Sequence, residues 1–175
     1  LWRYGSKKDN LFEVLRGPFL ANNSEVLFVR RKAESSKAGF EVQLLNPDGT
    51  SKWRKANNDF HLSEARLSED RKTLYLAVER RVNNQTQSAA LLRMSLSDGS
   101  LCWKKDWSGS SIGRLVLSGS NLVLLRQFND GSQQATLLQE KDGKPIWAKP
   151  LTNRQVTAMT PSINGGFFLV SGEFD

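Results

Sequence analysis

Three segments of this chain share one internal spacing: an Asp-Gly pair, with Trp four residues after the glycine. They are Asp48-Gly49-Thr50-Ser51-Lys52-Trp53, Asp98-Gly99-Ser100-Leu101-Cys102-Trp103 and Asp142-Gly143-Lys144-Pro145-Ile146-Trp147. Trp2 reads as the remnant of a fourth copy. The four tryptophans lie 51, 50 and 44 residues apart. A recurring period in this range marks a repeat architecture, in which each unit buries its apolar surface against the next.

Between the tryptophans, short apolar segments alternate with turn residues about every 10 residues, the pattern of an all-β chain. The first interval predicts strands at Val14–Leu20, Val26–Arg31, Phe40–Leu45 and Ser51–Lys55. The second predicts Glu64–Leu67, Thr73–Glu79, Ala89–Ser95 and Leu101–Lys105. The third predicts Gly113–Leu117, Leu122–Gln127, Ala135–Gln139 and Pro145–Lys149. A fourth unit supplies two strands, Thr157–Ser162 and Gly166–Ser171. No interval keeps apolar residues at helical spacing over ten positions, so helix is expected only as a turn near Ser6–Phe12 or Asn57–Phe60. Four antiparallel strands per repeat of this length match a β-propeller blade. The expected blades are residues 1–55, 56–107 and 108–151, with a partial one at 152–175. Both ends fall inside a repeat, so the expectation is about three and a half blades of a larger propeller, with an apolar blade face left open at each end.

The motif has a mechanical reading. Asp-Gly provides the positive backbone angles of a tight hairpin between a blade's third and fourth strands. Trp then falls in the outermost strand, where a large ring packs between neighbouring blades. Cys102, the single cysteine, adjoins Trp103 and reads as a small buried strand residue.

The formal net charge is +7. Such a surplus favours encounter with anionic partners, while Lys and Arg also guard exposed strand edges against aggregation. The basic residues are spread through every repeat, with no aromatic platform at nucleic-acid motif spacing, so nucleic acid is not the expected partner. Arg30, Arg31, Lys32, Arg80 and Arg81 fall at second-strand ends and form the candidate anion or partner contact. The adjoining segments Lys32–Gly39 and Arg81–Ser88 read as long loops on one rim. No apolar run approaches the roughly 20 residues that span a bilayer.

The segment from Ala89 to Trp103, an apolar strand followed by a turn ending in Gly and by Trp four residues on, resembles the PQQ-like β-propeller repeat. The resemblance extends over nearly the whole chain as three intervals and a remnant. Leu45, Ser95 and Gln139 stand where that family usually carries Asp, and Asp precedes the glycine where the family often has Thr. The resemblance implies an extracytoplasmic protein: quinoprotein dehydrogenases, an outer-membrane-assembly scaffold lipoprotein and luminal domains of stress-sensor kinases share the repeat. Only the first group is catalytic, with an Asp base, calcium ligands and in many cases adjacent cysteines. No Cys-Cys pair and no matching acid or calcium motif occurs here. The expected protein is therefore a non-catalytic interaction scaffold without cofactor, its partners being other proteins or further blades; the alternatives are a piece of a quinoprotein oxidoreductase and a propeller that binds anions through its basic rim.

Other chemistry finds little footing. One His and one Cys rule out the usual zinc ligand sets. His61 reads as a surface or loop residue, Glu69-Asp70 as a solvated turn, and Asn129-Asp130-Gly131-Ser132 lacks the downstream Glu of a calcium loop. Gly109-Ser110-Ser111-Ile112-Gly113 has no Lys-Ser/Thr to complete a phosphate cradle.

Overall fold

Among the described residues, fourteen antiparallel strands in chain order make up nearly all of the regular structure. The computed structural model describes residues 12–32, 39–83, 85–151, 155–162 and 167–172; Trp2, Ser6–Leu11 and all of the Lys32–Gly39 segment between its two end residues lie outside them. Sheet I comprises β1 (Phe12–Leu20), β2 (Val26–Lys32), β3 (Phe40–Leu45) and β4 (Ser51–Asn57). Sheet II comprises β5 (His61–Leu67), β6 (Thr73–Val82), β7 (Gln85–Ser95) and β8 (Leu101–Ser108). Sheet III comprises β9 (Ser110–Ser118), β10 (Asn121–Phe128), β11 (Gln133–Gln139) and β12 (Pro145–Leu151). β13 (Gln155–Pro161) and β14 (Phe167–Gly172) form a pair. Within each sheet, sequence neighbours are hydrogen-bonded neighbours. The first strands β1, β5, β9 and β13 also pack successively on one another. No helix of the described residues is long and apolar enough to cross a membrane.

The core lies between sheets, which explains the apolar runs. In β6, Leu74, Leu76 and Val78 join Leu27, Val29, Val42 and Leu44 of sheet I in one cluster. Tyr75 and Ala77, which alternate with them, join Ile112, Leu115, Leu122 and Leu124 of sheet III in a second cluster. Covered on both faces, Leu74-Tyr75-Leu76-Ala77-Val78 buries every side chain and so shows no alternation. The outer strands β4 and β12 are exposed at most positions and half-buried at Trp53 and Trp147. They carry the edge protection expected of unpaired backbone: Lys52, Arg54 and Lys55 on β4, and Pro145 and Pro150 on β12.

Two irregularities recur with the repeat. In each sheet the outer strand holds one extra residue against the third strand, immediately before the tryptophan: Lys52, Cys102 and Ile146. Each first strand likewise has a surplus residue at the corresponding place, Leu15, Ser63, Gly113 and Thr157, and β1 has a second irregularity between Arg16 and Phe19. A bulge reverses the side-chain phase beyond it and so re-aims the residues that follow. On β8 it turns Trp103 toward sheet III and leaves Cys102 exposed. The expectation of a buried Cys102 is thus corrected: strand alternation alone does not account for the bulge.

Helical structure differs from expectation. Asn57–Phe60 is a bend, with Asn57 Oδ1 accepting the N–H groups of Asp59 (2.9 Å) and Phe60 (3.1 Å). The one short 3₁₀ turn among the described residues is Asn22–Ser24, in the segment read as a plain turn. The Arg81–Ser88 segment is also not a loop. β6 and β7 continue as a paired ribbon to Val82 and Gln85, with Asn83 at φ 50° in the tip. The corresponding β10–β11 hairpin closes over Asn129–Ser132 after shorter strands.

Candidate functional site

The hairpins that carry the motif combine a left-handed glycine with an acidic clasp. Gly49, Gly99 and Gly143 have φ of 85°, 70° and 69°, while their Asp partners are not at positive φ. The expectation that both residues supply positive angles is corrected. The loops span three residues in sheet I and four in sheets II and III, closed by Asn46 N–H to Thr50 O, Ser95 N–H to Ser100 O and Gln139 N–H to Lys144 O. The Asp instead accepts the N–H two residues on: Thr50 to Asp48 at 2.9 Å, Ser100 to Asp98 at 3.0 Å and Lys144 to Asp142 at 3.0 Å. Asp130 binds Ser132 in the same way at 2.9 Å.

These bonds hold the carboxyls of Asp98 and Asp142, through the backbone N–H of Ser100 and Lys144, below the ordinary 3.8. Asp48 and Asp130 are lowered first by the hydroxyls of Thr50 and Ser132. A carboxyl depressed in the folded state stabilises it fully above the unfolded pKa, and the benefit fades as pH falls through the lower folded value. Carboxyl-carbon NMR is expected to show all four midpoints below 3.8, with Asp98→Asn flattening the acid side of the stability profile. Midpoints at or above the ordinary value would refute the clasp.

Each hairpin glycine is also a seat for the tryptophan of the preceding sheet. A Cβ at Gly99 would stand 2.9 Å from Trp53 Cε3, and one at Gly143 would stand 3.1 Å from Trp103 Cε3. The indole N–H completes the latch. Trp53 Nε1 donates to Leu96 O at 2.8 Å, and Trp103 Nε1 donates to Glu140 O at 3.2 Å. Trp147 meets Phe167 of the β13–β14 pair, ring centroids 5.8 Å apart. Gly99→Ala is expected to cost about 3 kcal/mol, combining left-handed strain with overpacking against the ring. Gly119→Ala, at φ 57° with open space around its Cβ, is expected to cost only the strain, about 1 kcal/mol. Equal shifts in the urea midpoints of the two variants would refute the seat.

Between sheets II and III the latch has a polar reinforcement. The fully buried Tyr75 donates its hydroxyl to Glu140 and accepts from Arg93 Nε at 3.2 Å. Burial, then Glu140, pushes the Tyr75 pKa up. Further along, the Gln133 amide exchanges hydrogen bonds with the Val156 backbone (2.7 and 3.3 Å), joining sheet III to β13.

The candidate basic contacts do not act as a set. Arg30 is mostly buried, with its guanidinium on Glu41 (3.1 Å) and Gln43. Arg54 also binds Glu41, which is fully buried. This polar network, Ser51 included through Gln43 (3.1 Å), lies on the face of sheet I turned away from sheet II. That face was expected to be apolar. The inner-strand bulges align Arg30 with Val78 and Arg126, so Arg80 is two residues beyond Arg30's register position. Arg80 and Arg81 lie on the exposed ribbon, Arg81 paired with Glu79 at 2.5 Å. Arg31 and Lys32 close β2, opposite Glu13 and Phe12.

Sequence reasoning missed Arg126, although its place at the end of an apolar second strand was a usable signal. Its guanidinium lies 5.4 Å from the Trp107 ring centroid and 4.9 Å from that of Phe128. Nη2 and Nε donate to Ser110 Oγ (2.7 and 3.3 Å), and Nη1 donates to Gln134 Oε1 at 2.9 Å. Burial lowers its pKa from the ordinary value. Nearby, Asn129 Nδ2 donates to Thr86 O at 3.1 Å, tying this end of sheet III to the ribbon. His61 opens β5, half-buried, and is not a loop residue.

No protein-family model and no curated protein matches the sequence. The fold is similar to that of an uncharacterized protein, lmo1340, from Listeria monocytogenes EGD-e, with a TM-score of 0.58 and 14% sequence identity. The match covers 89% of this chain and 44% of that one, so this chain spans less than half the length of the protein it resembles.

Proposed function

We propose that this chain is a non-catalytic segment of a PQQ-like β-propeller, serving as a protein–protein interaction scaffold in an extracytoplasmic compartment. The observation that carries this reading is the repeated latch: the tryptophan of one sheet seats on the hairpin glycine of the next, twice over with the same indole hydrogen bond. A latch of this kind joins sheets serially at a constant offset, as blades require. The remaining blades are supplied by further sequence or by a partner. The rigid stack presents the β6–β7 ribbon, with Arg80, Arg81 and Val82 exposed, as its contact element.

The test is a photo-crosslinking amino acid placed at Val82 and, separately, at Leu101 on the outer strand, in cells that produce the protein. A discrete protein adduct from Val82 and none from Leu101 is expected. Adducts confined to Leu101 would remove the ribbon's role, and none from either site would count against a scaffold.

A further inference from the structure

The aligned repeats act as an internal comparison. At the register position of Arg30, sheet II has Val78 and sheet III has Arg126. Opposite them on the third strand stand Glu41, Ala90 and Gln134. Sheet I therefore pairs Arg with a buried carboxylate, and sheet II has an apolar pair. Sheet III keeps the Arg and has a neutral amide where the carboxylate would be. Among the described residues Arg126 meets no carboxylate, its hydrogen-bond partners being Ser110 and Gln134.

Arg126 is half-buried, and a guanidinium drawn partly out of water without a counter-charge is costly unless something supplies one. The surroundings fix this one in place. Trp107 and Phe128 hold the cation between two rings, an attraction that strengthens as water is removed. Ser110 takes the Nε side of the guanidinium and Gln134 takes one N–H of Nη1. Of the five N–H groups an arginine carries, one on each terminal nitrogen is then left among the described contacts. One donor remaining on each terminal nitrogen matches in number the two oxygens of a carboxylate. One cation walled by aromatic rings suits a singly charged carboxylate beside apolar surface. It lacks the row of cations that a phosphate backbone requires.

We propose that Arg126, at the rim between sheets II and III, is a binding site for a carboxylate side chain of an acidic partner peptide. The proposal rests on the reading of the chain as an interaction scaffold and specifies the chemistry of the partner. The extra Asn129–Thr86 bond places the β6–β7 ribbon beside the site, so that a bound peptide meets both.

The experiment measures anisotropy of a fluorescein-labelled oligoglutamate peptide against the whole chain at low and moderate salt. Gln134→Glu installs in sheet III the carboxylate that sheet I has at Glu41. It is expected to satisfy Arg126 internally, leave the unfolding midpoint unchanged or raised, and weaken peptide binding about tenfold or more. Lys141→Gln, which alters net charge by the same amount at an exposed turn, is expected to bind within about twofold of the parent. Equal weakening by both variants, unchanged binding in Gln134→Glu, or no binding by the parent would overturn the proposal. So would tighter binding of a single-stranded oligonucleotide than of the peptide. The crosslinking at Val82 is a separate readout: adducts there together with failure of the peptide assay would leave the scaffold standing without this site.

Discussion

Trp103→Ala is expected to lower the free energy of unfolding by about 3–4 kcal/mol, near the lower end for large aromatic truncations because the ring is half-buried. Three losses combine. The indole leaves its seat on Gly143, where the nearest ring atoms stand 3.1 Å from the Cβ position. The Nε1 bond to Glu140 O disappears, leaving that carbonyl to water. The tilted contact with Tyr75, ring centroids 6.3 Å apart, is also lost. Trp103→Phe keeps part of the ring contact and loses the N–H donor, so a cost of about 1–2 kcal/mol is expected. Because the residue joins two sheets, the damage should spread to the hairpin closed by Gln139 and Lys144. Urea unfolding gives the magnitude, and amide exchange at Gln139 and Lys144 gives the location. A cost below about 1 kcal/mol, or exchange unaltered in that hairpin, would show that the sheets hold together without the latch.

Glu41→Ala is the second large effect, with an expected cost of about 3–5 kcal/mol. Glu41 has no exposed side-chain surface and binds two arginines of different exposure. The bond to Arg54, whose side chain is 55% exposed, is screened by water and counts little. The bond to Arg30, 13% exposed, dominates, because truncating the acid strands a nearly buried cation. The double variant Arg30→Met, Glu41→Leu removes both charges and fills a similar volume. It is expected to recover most of the loss, since two matched ions exchanged for apolar side chains are often close to neutral. A double variant as unstable as Glu41→Ala would locate the cost in packing instead of charge.

The strand plan was legible because its signals are local. Phe40–Leu45 has the predicted boundaries, and the other strands extend their predicted cores by a few residues or shift by one. Asn, Asp and Gly mark turns through short side-chain-to-backbone bonds such as Ser100 N–H to Asp98. The motif's even spacing also placed Trp53, Trp103 and Trp147 on outer strands, turned toward the next sheet's hairpin or strand pair. Its tyrosine and glutamate reinforcement was not legible: Tyr75 and Glu140 are 65 residues apart in sequence, and nothing near either announces the other.

The candidate contact residues show the limit more sharply. Arg30 and Arg81 looked like members of one basic rim when counted along the chain. Pairing decided otherwise, giving Arg30 to Glu41 and Arg81 to Glu79. Arg126 stood alone in the sequence, and it acquires its meaning from Trp107, Ser110 and Gln134, supplied by three other strands.

By itself the sequence determined the period, the turns, the all-strand composition and the residue that latches each sheet, because these depend on backbone angles and side-chain alternation within a few residues. Tertiary structure decided which face each side chain takes and which charge it meets. Those outcomes turn on one surplus residue in β8 that exposes Cys102 and turns Trp103 inward, and on register between strands that the chain brings together only after folding.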